Sequence, residues 1–125
     1  MVSKYAKGVK MAYKSYNKYS NKKTKVDGIT FDSKKEAKRY KELKLLEKAG
    51  VIKDLELQPK FLIVDTLRKN GKTFKKRSYI ADFMYYDNER KKTVVEDVKG
   101  YKAKLYPIKR HLFEQRYPDL WVEEI

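Results

Sequence analysis

Two strand-like runs, YIADFMYY at 79–86 and TVVEDVKG at 93–100, joined by the polar turn DNERKK, constrain this chain more than any other feature. Both are rich in β-branched and aromatic residues, as strands are. Folded about the turn as a simple hairpin, they pair Tyr86 with Thr93, Met84 with Val95 and Asp82 with Asp97. Directly opposed residues of an antiparallel pair have Cβ atoms about 4.5–5.5 Å apart. The hairpin therefore sets two carboxylates face to face among the apolar Ile80, Met84 and Val95, with Lys99 two residues further along the same face. Like charges so placed repel unless a cation lies between them. Hard oxygen donors favour Mg2+, with Mn2+ able to substitute. The bland alternative is a solvated strand face, against which the apolar neighbours and the D…D-x-K order both count. Glu96 falls on the other face with Val94 and Val98, and reads as a partly exposed charge rather than a ligand.

A chain of 125 residues is enough for one domain with one modest core. No run approaches a membrane span, and the opening MVSKYAKGVK lacks an apolar signal region, so a cytoplasmic protein without membrane contact is expected. The absence of cysteine excludes disulfides, zinc–thiolate sites and thiol catalysis. The single histidine, His111, excludes His-rich metal sites and reads as a helix residue at the core margin. Net charge is +15, and residues 1–26 carry +8 of it through eight lysines without an acid. Such an imbalance suits a polyanionic partner. In this basic, flexible extension Tyr5, Tyr13, Tyr16 and Tyr19 alternate with lysines, a mixture that either contacts phosphates and stacks on bases or is simply a solvated tail.

Residues 27–125 read as the folded domain. Val26-Asp27-Gly28-Ile29 predicts a tight turn between extended pieces. A helix is predicted over 33–49, because Ser33 and Glu36 form a capping-box pattern and Ala37, Tyr40, Leu43 and Leu46 recur at helical spacing. Gly50 ends it, with Val51 suited to a Schellman closure. Val51, Leu55, Leu57, Phe61 and Ile63 share one parity, predicting a half-buried strand that Pro59 bends or confines to an edge. Arg68-Lys69-Asn70-Gly71-Lys72 predicts a basic turn. Pro107 opens a second helix that ends near Tyr117-Pro118, with Ile108, Leu112 and Gln115 on one side, and Leu120-Trp121-Val122 reads as a last strand. The order is helix, three strands, helix, strand.

That order, with Asp82 and then Asp97-x-Lys99 on the second and third strands, resembles the PD-(D/E)XK nuclease superfamily. More closely, NKKTKVDGITFDSKKEAKRYKELKLLEKAGVIKDLELQP followed by YIADFMYY and VVEDVKG is similar to a family of small phage proteins, long described only as a domain of unknown function and related to phage Holliday-junction resolvases. The likeness runs from about Asn21 to Ile125. It departs from the superfamily pattern at Ala81, which stands where the nominal proline would be. The resemblance implies an α/β fold with an αβββαβ restriction-endonuclease-like core, a central four-stranded mixed sheet flanked by helices.

It also implies a Mg2+-dependent DNA endonuclease, selective for branched or structured DNA in phage replication, recombination or packaging, acting in the bacterial cytoplasm. Asp82 and Asp97 would be metal ligands, the Val98 backbone carbonyl a third, and Lys99 would orient the attacking water against the scissile phosphate. Products would carry a 5′-phosphate and a 3′-hydroxyl, and a resolvase, which cuts symmetrically, implies a homodimer. Glu36 matches the acidic helix position that points into such sites, although a capping box accounts for it equally. Gln58 either borders the site or belongs to an ordinary polar strand face. Lys102, Lys104, Tyr106, Lys109 and Arg110 follow the active triplet and form a cluster suited to DNA phosphates. The alternative is a non-catalytic nucleic-acid-binding module with a vestigial acidic pair.

Overall fold

Turn chemistry sets the boundaries of the first elements. The computed structural model describes residues 23–98 and 104–125. It contains two compact units, Met1–Ala37 and Lys38–Ile125. In the first, β1 (Thr24–Val26) and β2 (Ile29–Phe31) pair antiparallel through Asp27 and Gly28, both at positive φ (53° and 77°), as a two-residue hairpin loop requires. Helix α1 (Lys34–Lys48) starts here at the Ser33 cap and runs into the second unit. It closes as expected: Gly50 adopts φ 79°, its amide donates to Glu47 O, and the Val51 amide donates to Leu46 O, the paired bonds of a Schellman motif.

The second unit continues with β3 (Ile52–Leu57), β4 (Lys60–Val64), β5 (Leu67–Lys69), β6 (Lys72–Phe74), β7 (Arg77–Ile80), β8 (Phe83–Asp87), β9 (Lys92–Asp97), α2 (Tyr106–Arg116) and β10 (Val122–Glu124). Four of these strands form one mixed sheet in the order β10-β9-β8-β3, with β10 parallel to β9 and the other pairs antiparallel. The expected mixed α/β architecture with two helices is therefore present. Register between β8 and β9 is the predicted one: Tyr86 faces Thr93 and Met84 faces Val95. Asp87 secures the turn, accepting from the amides of Glu89 and Arg90 and from the Arg90 side chain.

Pro59 bends the first long strand, as anticipated. The chain leaves β3 at Gln58 and continues as β4, which pairs with β7 rather than with the main sheet. The facing strand turns the same corner between β7 and β8, at Ala81 and Asp82. Two amide bonds hold the corner, Gln58 N–H to Asp82 O (2.9 Å) and Ala81 N–H to Pro59 O (3.1 Å). Beyond β4 and β7 the two strands extend into the β5–β6 hairpin, turned by Asn70 and Gly71 at positive φ.

Two side-chain expectations need correction. The parity assigned to β3 fails at its start, where Ile52 rather than Val51 is buried. A bulge between Lys53 and Glu56, with Asp54 at φ 58°, shifts the alternation by one residue. In α2 the core residue is Phe113, fully buried, whereas Ile108 is exposed and so is His111. Phe113 packs edge-on against Phe61 (4.9 Å between centroids) and beside Tyr79 and Tyr117. It joins Ile63, Ala81, Val95 and Val122 in one apolar cluster on the face of the sheet that carries Val95. Among the described residues no helix is long and apolar enough to cross a membrane.

Candidate functional site

Asp82 lies at the corner between β7 and β8, and Asp97 ends β9. Extending the observed register by one pair beyond Phe83–Glu96 brings the two aspartates opposite each other. The Asp82 amide donates to Glu96 O (3.0 Å), and Asp82 Oδ2 accepts from the Val98 amide at 2.6 Å. The first carboxylate is thus bound to the peptide that follows the second. Asp97 is anchored from two directions: its Oδ2 accepts from the Tyr79 hydroxyl at 2.5 Å, and its carbonyl accepts from the Ile125 amide. Both aspartates are half-buried.

Tyr79 is buried beside this pair. Burial first, then its bond to Asp97, then the charge of Asp97, and after these Tyr106 and Asp82, push its phenol far above the usual tyrosine range. Both carboxylates therefore act on one hydroxyl. Tyr106, tilted against Tyr79 with ring centres 6.2 Å apart, is raised as well, by burial and by its bond to Glu124. A cleft of about 280 Å³ opens beside Asp97, lined by Ser78, Tyr79, Ile80, Leu105, Tyr106 and Lys109.

The opposite face of β9 holds a correction. Glu96, read from sequence as a partly exposed charge, is 0% exposed. Arg39 reaches it from α1 with two parallel bonds, Nε to Oε1 at 2.8 Å and Nη2 to Oε2 at 2.6 Å, and the Tyr85 hydroxyl donates to Oε2. This pairing raises the Arg39 guanidinium further above its ordinary value, against the effect of burial. The sheet is covered on this face too, so alternation along β9 separates two buried environments rather than buried from solvated. Sequence reasoning missed this pair because its partners are 57 positions apart.

Glu36 belongs to the first unit and is 8% exposed; its amide donates to Ser33 Oγ (3.0 Å) and its Oε1 accepts from the Asp32 amide (3.2 Å). That is reciprocal capping, with the return bond reaching the residue before the cap. Gln58 is exposed, at φ 50°, and touches Asp82 through its backbone amide. Lys104 is exposed and Lys109 borders the cleft. Arg110 is committed to Glu114 (3.3 Å), Glu124 (2.9 Å) and the Val122 carbonyl (2.9 Å). Lys99, Lys102 and the head at 1–22 lie outside the described residues. Sequence reasoning did not single out Tyr79, whose only signal was its position three residues before Asp82. Another basic surface is the β5–β6 hairpin and its exit, where Arg68, Lys69, Lys72, Lys75, Lys76 and Arg77 are all exposed.

Among the described residues no group of three or more His, Cys, Asp or Glu is arranged to hold a metal ion. Two carboxylates are what the centre offers there. They are hard donors, and Mg2+ is commonly held by one or two carboxylates with waters and substrate phosphates completing its shell. The donor set fits such an ion. The chain belongs to the family described as "Protein of unknown function (DUF1064)", which matches it over residues 16–125. No curated protein and no solved structure matches it.

Proposed function

We propose that this DUF1064 chain is a Mg2+-dependent DNA endonuclease with a PD-(D/E)XK-type core, selective for branched or structured DNA and serving phage DNA metabolism in the host cytoplasm. One observation carries the reading: Asp82 and Asp97 come together where β8 and β9 meet the sheet corner, tied by the Val98 amide and overlooked by one phenol. Within the mixed sheet, β3, β8 and β9 fall between α1 and α2 and β10 follows α2, which supports it; β4 to β7 are inserted between β3 and β8 outside that sheet, where the sequence predicted one uninterrupted strand on either side of a turn.

Asp82 and Asp97 would hold the ion, with the Val98 carbonyl adjacent. When bound, the ion supplies an activated water and neutralises charge on the phosphoryl oxygens and leaving group. The chain's own residues prepare that site. Tyr79 fixes one oxygen of Asp97, leaving the carboxylate's orientation defined, and the Val98 amide does the same for Asp82. Lys109 brings a cation to the cleft beside Asp97, where a phosphate would enter. Lys99 takes the water-orienting role that the resemblance assigns to it. Lys104 and the cations of the β5–β6 hairpin would grip the flanking backbone, giving affinity that is salt-sensitive and largely indifferent to sequence. A junction-cutting version would act as a homodimer.

The test is nicking of supercoiled plasmid with Mg2+ and with EDTA, comparing wild type with Asp97→Asn, which keeps an acceptor for Tyr79. Cleavage by wild type in Mg2+ alone, absent in the variant, is expected. Equal nicking by both proteins would assign the activity to a contaminant and leave a binding module. Labelled four-way, three-way, flap and linear substrates then map the preferred structure.

A further inference from the structure

Between α2 and β10 lies a wider groove of about 640 Å³, lined by Tyr106, Pro107, Arg110, His111, Trp121 and Glu124. It is separate from the carboxylate pair but shares the Tyr106 wall with the cleft beside Asp97. Trp121, the only tryptophan in the chain, stays 61% exposed immediately before β10. The Arg110 guanidinium lies over its ring, 4.7 Å from the centroid. The exposed indole is not an isolated surface residue: with Tyr106 and Pro107 it lines one concave aromatic surface, the kind of exposed apolar patch that marks a binding site.

The chemistry of the groove selects among partners. Its cation is already neutralised, since Arg110 is bonded to Glu114, Glu124 and the Val122 carbonyl. A phosphate would have to compete with two carboxylates there, so the groove does not suit one. Planar, apolar walls from Trp121, Tyr106 and Pro107, with carboxylate and imidazole groups at the edges, suit a flat heteroaromatic ring bearing donors and acceptors. A chain of net charge +15 supplies the attraction for the attached phosphates elsewhere on its surface.

We propose that this groove is a nucleobase-stacking site, taking one unpaired base of a bound nucleic-acid strand onto the Trp121 indole. It deepens the nuclease reading and rests on its nucleic-acid partner. Because Tyr106 walls both spaces, a base seated in the groove places its own strand beside the Asp97 cleft. The favoured substrate then has an unpaired nucleotide next to the cut, as branched DNA offers and a continuous duplex does not. Stacking on one aromatic ring changes affinity by roughly 5- to 150-fold per base.

Trp121 is its own probe. The full chain is titrated in EDTA with a thymidine oligonucleotide and with an abasic oligomer of equal length and charge, exciting where tyrosine does not absorb. Quenching by the thymidine strand, several-fold weaker with the abasic one, is the expected result. In Trp121→Leu, which keeps an apolar side chain, anisotropy of labelled strands should show the preference for the base-bearing oligomer falling towards one, while abasic binding is unchanged. Equal quenching by both oligomers, binding without quenching, or indole burial that follows protein concentration alone would each overturn the proposal; the last would mark a contact between copies. Cleavage is not needed for this readout. Quenching without plasmid nicking would sink only the nuclease reading, and nicking without base-dependent quenching would sink only the groove.

Discussion

Replacing Arg39 by methionine is the most demanding test of how this sheet is held. The substitution keeps an apolar stem but strips the Glu96 carboxylate, fully buried, of two charge-assisted bonds at 2.8 and 2.6 Å. Bonds of that kind contribute about 1.5–3 kcal/mol each. Breaking a buried pair from one side costs about 3–5 kcal/mol, because the remaining charge is stranded. The exposed contact of Arg39 with Glu42 adds about 0–1 kcal/mol. Urea denaturation reads the loss: with a slope of about 2 kcal/mol/M, a 3–5 kcal/mol deficit lowers the midpoint by about 1.5–2.5 M. Removing the whole network should restore most of it, since apolar replacements of buried ion pairs are often neutral or stabilising. The appropriate comparison is Arg39→Met with Glu96→Met and Tyr85→Phe, because Tyr85 would otherwise keep a buried hydroxyl without its acceptor. A single variant that loses under about 1 kcal/mol, or a triple variant no more stable than the single, would refute the reasoning.

Other outcomes follow from the same geometry. Tyr79→Phe keeps the ring but releases Asp97 Oδ2, and should raise the Mg2+ concentration for half-maximal nicking by about 10- to 100-fold, the usual effect of losing a ligand's supporting partner. Because Tyr79 titrates above its unfolded value, the stability it contributes is present below pH about 10 and lost as pH rises further. Tyr79→Phe should accordingly flatten the fall in unfolding free energy above that pH by up to about 1.4 kcal/mol per pH unit, read by urea denaturation; an unchanged slope would contradict the raised titration. Arg90 and the turn amides hold Asp87 below the carboxylate range, so its contribution is present above its unfolded pKa and lost as pH falls through the folded one. Asp87→Asn should be less acid-sensitive than wild type as pH falls below the ordinary aspartate pKa of about 4 in the same assay. Gly50→Ala has open space around its new methyl group, so only the left-handed backbone at φ 79° opposes it; a stability loss of about 1–2 kcal/mol by urea denaturation is expected.

What sequence made legible was local, and the reason is physical. A two-residue turn of Asp-Gly or Asn-Gly, a Ser-x-x-Glu cap and a glycine-closed helix each depend on backbone chemistry within a few residues, and each is present. The β8–β9 register belongs to the same class, since one short turn and one alternation fix it. The opposition of Asp82 and Asp97, the premise of the proposed chemistry, continues that same register by one pair. The failures are all consequences of distance. Nothing near Glu96 announces Arg39, and nothing within α2 says that its rotation will be set by Phe61 and Tyr79 on strands folded away at the Pro59 corner.

The corner links these two kinds of information. Without a bend at Gln58-Pro59 and Ala81-Asp82, β7 would continue in the plane of the main sheet, and Tyr79, three residues before Asp82, would lie further along the same ladder. With it, β7 turns towards α2, Tyr79 packs on Phe113, and its hydroxyl reaches back to Asp97. The proline therefore does more than end a strand: it converts a flat acidic pair into a pocket with a phenol as its third wall. Replacing Pro59 with alanine tests this directly. The Pro59 carbonyl still accepts from the Ala81 amide, so the corner loses only its conformational restriction, and a stability loss of about 0.4–1 kcal/mol is expected. If the bend positions Asp97 through Tyr79, nicking by that variant should need more Mg2+ while its folded fraction stays high. Unchanged Mg2+ dependence would mean that the phenol is held by α2 alone.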